Sequence, residues 1–119
     1  MRKITREAIK QYASSVKVYY RGMRYYAAHA VSNVTWNDSI KQYKGIVKGS
    51  NQYIVTVQVE EDGNMIYSCN CPSHVKLSGA CKHVIAMMLF IADYQQREDA
   101  KVNLKGEDRV AYNVVEYFR

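Results

Sequence analysis

The sequence contains a single proline and six glycines in 119 residues, with 48% hydrophobic and 24% charged side chains. That balance excludes collagen-like, mucin-like and largely disordered chains. No apolar run approaches the ~18 residues that cross a bilayer, so no membrane partner is expected. The charged start, Met1-Arg2-Lys3-Ile4-Thr5-Arg6-Glu7, has no apolar segment behind it, and no secretory leader is expected. Cysteines number three. An odd count without an export signal argues against a disulfide framework. It suits reduced thiols in the cytoplasm, at the nucleoid if the source is bacterial. The length fits one domain with a modest core, which a metal staple would help.

Acidic residues are scarce at one end. Residues 1–24 carry Arg2, Lys3, Arg6, Lys10, Lys17, Arg21 and Arg24 against Glu7 alone. The other 95 residues hold equal numbers of acids and bases, so the whole net charge of +6 lies in the first fifth of the chain. This stretch reads as a helix. Thr5 is a suitable N-cap, and Ile4 can staple onto Ile9. Ile9, Tyr12, Ala13 and Val16 recur at the helical period, and Tyr20 and Met23 continue that apolar face. Arg6, Lys10, Lys17, Arg21 and Arg24 then fall in a stripe about 60° wide. Gly22 is expected to end or bend the helix. A one-sided basic stripe is a phosphate footprint; the same pattern also suits a solvated face that keeps the protein soluble.

Residues 31–69 read as a three- or four-stranded antiparallel meander. Candidate strands run from Val31 to Trp36, Ile40 to Val47, Tyr53 to Glu60 and Met65 to Ser68. The third alternates most clearly, with Tyr53, Val55, Val57 and Val59 on one face. Asn37-Asp38, Gly49-Ser50-Asn51 and Asp62-Gly63 supply the turns. Residues 82–95 read as a core helix, with Val84, Ile85, Met88, Leu89 and Ala92 on one wide face. Its methionines suit core filling. Beyond Gln95 the chain turns polar. A short last helix over 107–119, with Val110, Val114 and Phe118 on one side, would dock on the domain or belong to a neighbouring one. The expected class is α+β: a basic N-terminal helix, the meander and a metal-anchored helix.

All three cysteines fall between positions 69 and 81, in the pattern Cys69-x-Cys71, nine residues, Cys81-x-His83. Zinc takes four nitrogen or sulfur donors in a tetrahedron. Two close pairs each make a small chelate, and the loop need bring only two pieces together. The first pair lies at a strand exit, where Pro72 signals departure from the ladder. The second opens a helix, whose free N–H groups and positive dipole end favour thiolates. Gly79 gives the chain freedom to turn in. Four protein ligands leave no open position, so one structural Zn2+ is expected rather than a catalytic one. His74, three residues past Cys71, is a rival ligand for His83. His29 reads as a surface or satisfied core histidine.

This motif resembles the SWIM zinc-finger family, whose pattern is C-x-C, a variable loop, then C-x-H. Tyr67-Ser68-Cys69-Asn70-Cys71-Pro72 and Gly79-Ala80-Cys81-Lys82-His83-Val84-Ile85-Ala86 look like its strand-exit and helix-entry segments. Arg21-Gly22 with Tyr25-Tyr26 and Val31, then Gly49-Ser50 with Tyr53 and Val55, look like the upstream part of SWIM modules at the N-termini of bacterial Swi/Snf-type helicases. The resemblance implies a zinc-anchored ββα finger with Cys69, Cys71, Cys81 and His83 as ligands. The resemblance covers roughly residues 20–95 and offers no counterpart for 96–119; the expected division is a zinc-binding domain over residues 1–95, with the finger proper over 52–95, followed by a polar linker with a short helix over 96–119. The resemblance also implies a role in binding DNA or proteins, with a helicase motor as partner in cis or in trans.

No Walker-type phosphate loop occurs, so no ATPase is expected in this chain. No nucleophile–base or carboxylate pair stands out, so neither enzyme activity nor a small-molecule substrate is expected. The leading expectation is DNA binding of low sequence specificity through Arg6, Lys10, Lys17, Arg21 and Arg24, with nearby tyrosines stacking on unpaired bases. The alternative is a protein-interaction module with a purely structural zinc.

Overall fold

The computed structural model describes residues 4–76 and 78–105. Three helices and a four-stranded antiparallel sheet make an α+β fold in the order α1 (Arg6–Tyr12), α2 (Val16–Ala27), β1 (Val31–Asn37), β2 (Gln42–Lys48), β3 (Gln52–Val59), β4 (Met65–Cys69) and α3 (Lys82–Lys105). A short 3-10 turn spans His74–Lys76.

The N-terminal segment is two helices, not one. Thr5 caps α1 by accepting the Ala8 N–H at 3.1 Å. Ile4 and Ile9 are both buried, as the staple requires. Ala13 then turns extended, with φ −62° and ψ 143°. Ser15 caps α2 by accepting the Val18 N–H at 3.2 Å. The break restarts the helical phase, so the single stripe dissolves. Arg6 and Lys10 lie one turn apart on α1, and Lys17, Arg21 and Arg24 share one side of α2. Val16 and Tyr20, expected in the apolar face, are 56% and 50% exposed. Tyr19 and Gly22 face inward instead.

Gly22 does not end its helix, which runs on to Ala27. It is a contact point. A Cβ there would lie 2.5 Å from Ile85 Cγ2 and 3.0 Å from the Lys82 carbonyl oxygen. The missing side chain lets α2 cross closely over the start of α3. At the end of α2, His29 adopts a left-handed φ of 61° and donates its N–H to the Tyr26 carbonyl at 3.0 Å. His29 is exposed and serves as a helix end.

The sheet is a simple meander in the order β1-β2-β3-β4. The alternation in β3 buries Val55, Val57 and Val59. β2 begins at Gln42 rather than Ile40, because Lys41 takes a left-handed φ of 54° in the preceding turn. Gly63, with φ 93°, turns β3 into β4. One face of the sheet packs on α3, and α1 and α2 cover the other sides of that helix. Val84, Ile85, Ala86, Met87, Met88, Leu89 and Ile91 are consequently buried, including the methionines expected as filler.

α3 continues to Lys105, beyond the end expected at Gln95. Gln96, Arg97 and Glu98 are polar, yet all are good helix formers. Arg97 pairs with Asp93 at 3.0 Å, and Tyr94 donates to Glu98 at 3.1 Å. Gln95 faces the interior and accepts the Ile4 N–H at 2.8 Å, tying the chain's start to this helix. The helix expected over 107–119 lies outside the described residues.

Candidate metal centre

Four donors converge where β4 ends and α3 begins. Cys69 is the last residue of β4 and pairs with Val55. Beyond it, Asn70 donates its N–H to the Ile54 carbonyl at 3.4 Å, while its side-chain oxygen accepts the Ile54 N–H at 2.9 Å. A side chain thus closes the ladder, and the backbone is released to turn at Cys71-Pro72. The chain returns at Gly79-Ala80. The Ala80 N–H donates to the Tyr12 carbonyl at 2.9 Å, and the Ser14 N–H donates to the Ala80 carbonyl at 3.2 Å. This parallel bridge uses the backbone freed between α1 and α2. Gly79 is required by that approach, since a Cβ would lie 2.9 Å from Ser14 Cα and from the Tyr12 oxygen. Cys81 caps α3, its carbonyl accepting the Ile85 N–H at 3.0 Å. His83 follows within the first turn.

The donor atoms of Cys69, Cys71, Cys81 and His83 all lie within 4.8 Å of one another, and all four residues are buried. Cys71 Sγ is 3.8 Å from Cys81 Sγ. His83 Nδ1 is 3.8 Å from Cys69 Sγ and 4.0 Å from Cys81 Sγ. A tetrahedron with zinc–sulfur bonds of about 2.3 Å has edges of about 3.8 Å, so these separations fit a zinc ion. They are far too long for a disulfide, whose sulfurs sit about 2 Å apart. The three cysteines are free.

The electrostatics suit a cation. Hydrogen bonds from Cys69 and His83 and the backbone N–H of Val84 hold Cys81 well below the ordinary thiol range, against the effect of burial. Cys69, as the thiol that shares its proton with Cys81, is pushed up. One sulfur is therefore predisposed to be a thiolate at neutral pH, at a helix N-terminus whose dipole favours it. His74, the rival ligand, is outside the four-atom cluster. It packs edge-on against Tyr67, with ring centroids 5.8 Å apart, and helps to lower Cys81.

Aromatic rings fix the His83 imidazole. Tyr53 stacks on it at 4.3 Å and 27°, and Tyr25 meets it edge-on at 5.3 Å and 67°. Gly49 lies beside all three. Tyr25, Gly49 and Tyr53 are among the upstream residues that carried the sequence resemblance, but spacing along the chain gave no sign that they surround a ligand. The basic residues stand apart from this centre. Arg6, Lys10, Lys17, Arg21 and Arg24 are all exposed, and no ion pair among the described residues neutralises them. Lys10 Nζ lies 6.0 Å from the Tyr19 ring centroid.

A strand exit and a helix start brought together by three cysteines and a histidine define a Cys3His zinc-finger arrangement. The particular family follows from comparison with known proteins: residues 55–92 match the model of the SWIM zinc finger. That segment is similar to a SWIM zinc finger. Neither the curated proteins nor the solved structures contain a match to the chain.

Proposed function

We propose that the chain is a non-enzymatic zinc module that binds nucleic acid, most simply DNA, with low sequence specificity. One Zn2+ is held by Cys69, Cys71, Cys81 and His83, and its role is structural. The observation supporting this is the buried set of four protein donors within 4.8 Å, which fills a tetrahedral shell and leaves no position for substrate. Support for a nucleic-acid partner comes from the exposed cations. Lys17, Arg21 and Arg24 follow one another along α2, with the half-exposed Tyr20 among them. Arg6 and Lys10 add a second group on α1. Such groups meet phosphates, and an exposed tyrosine ring can stack on a base. The resemblance to helicase-associated modules favours work beside a motor domain, in the cytoplasm.

The test is fluorescence anisotropy with a labelled DNA oligonucleotide at two salt concentrations. Binding should weaken with salt, and Lys17→Ala/Arg21→Ala/Arg24→Ala should weaken it across all sequences. The log–log salt slope should fall by roughly 0.9 for each phosphate that the variant no longer neutralises. Equal affinity at both salt concentrations would count against the reading. A protein partner is the second reading. It is favoured by Ile54 and Ile66, which are 46% and 53% exposed on the sheet face turned away from α3. Capture of a motor domain that is insensitive to the basic triple variant would support it.

A further inference from the structure

We infer that His83 binds the metal through Nδ1, and that the Tyr25 hydroxyl accepts the remaining ring proton on Nε2, directly or across one water, beside Gly49. The inference rests on the zinc reading and assigns its supporting hydrogen bond.

Nδ1 faces the sulfurs, at 3.8 Å from Cys69 Sγ and 4.0 Å from Cys81 Sγ. A neutral imidazole that ligates through one nitrogen carries its proton on the other. Histidine ligands almost always donate that second N–H to a fixed acceptor, which sets the tautomer and strengthens the metal bond. Here Nε2 is buried and has no hydrogen-bond partner among the described residues. What lies near it is specific. Tyr25 Oη and His83 Nε2 are 3.2 and 3.3 Å from the point where a Cβ on Gly49 would sit. With glycine at position 49, no side chain occupies the point close to both atoms. The other ring on the histidine is a poorer acceptor, because the Tyr53 hydroxyl is already engaged with Ser50 Oγ at 3.0 Å. Lys82 Nζ lies 5.6 Å from the Tyr25 ring centroid and helps hold that ring over the site. The three rings and the glycine come from α2, the β2–β3 turn, β3 and α3, so the upstream half of the domain completes the surroundings of a ligand in the downstream half.

Two measurements test this. Long-range proton–nitrogen NMR of the zinc-loaded protein should show His83 ligated at Nδ1 and protonated at Nε2. Competition with a chromophoric chelator should then show zinc affinity reduced about tenfold to a hundredfold in Tyr25→Phe. Gly49→Ala, which places a methyl close to both Tyr25 Oη and His83 Nε2, should lose a similar factor. Tyr53→Phe, which keeps the stacked ring and loses only a remote hydroxyl, should stay within about twofold of wild type. Ligation at Nε2, or Tyr25→Phe affinity equal to wild type, would overturn the inference while leaving the zinc centre intact. Failure of the wild-type protein to take up zinc at all would overturn both.

Discussion

At the scale of single residues, two positions show how little space this small core leaves. Gly22 lies where α2 crosses α3. An alanine there gains about 1 kcal/mol of helix propensity, yet its methyl would sit 2.5 Å from the fully buried Ile85. Overpacking of a tight core costs about 1–3 kcal/mol, and a β-branched neighbour has few ways to yield. Gly22→Ala should therefore lower the urea midpoint despite the better helix former, and Gly22→Val should lower it further. Tyr26 makes a different kind of prediction. Burial first, and then hydrogen bonding to Asp93, push its phenol up to about 12; burial does the same to Tyr43. Raised phenol values mean that the fold favours the neutral form. Their contribution to stability is complete below pH 10 and is lost as pH rises through 12. Unfolding midpoints measured from pH 8 to 12 should fall mainly above pH 10, and Tyr26→Phe should make that fall shallower.

At the scale of elements, the break between α1 and α2 matters most. Ser15 starts the second helix, and removing its hydroxyl with Ser15→Ala should cost about 1 kcal/mol. Thermal unfolding should register this as a midpoint lower by about 4–8 °C, as for a domain of this size class. The cost should be accompanied by weaker protection of the Ser14 and Ala80 amides against hydrogen exchange, because both donate across the bridge made at the break. Much at this scale was legible in the sequence. Alternation over Tyr53 to Val59 marked β3, Asp62-Gly63 marked its turn, and the paired Cys and His spacings marked both halves of the metal centre. The break was not legible, because the apolar period passes through Ser14-Ser15 without interruption; only two serines inside a helical pattern hinted that a cap was present. The continuation of α3 past Gln95 was hidden for the opposite reason. A change to polar residues marks exposure, not termination, and the Asp93–Arg97 and Tyr94–Glu98 pairs carry the helix onward. The partners Tyr25 and Gly49 were unreadable because their role arises only when distant turns meet around His83.

At the scale of the whole molecule, α3 is enclosed by the sheet on one side and by α1 and α2 on the others. Its cap, Cys81, and its first-turn residue His83 are two of the four candidate metal donors. Loss of the ion should therefore loosen the core rather than one loop. Free energies on the order of 10 kcal/mol are typical of structural zinc in small domains, which is comparable to the entire stability of a fold this size. Chelation should collapse the dispersed amide NMR spectrum, with recovery on adding zinc back. A spectrum that stays dispersed without metal would show that the core holds itself together. The bridge between Ala13 and Ala80 extends this dependence to the charged end of the chain. The joint between α1 and α2 is anchored to the very segment that delivers Cys81. Losing the ion would thus free the joint as well, and the two sets of cations would no longer be presented at a fixed angle. On the zinc reading, the geometry of the positive surface would be governed by an ion that it never touches.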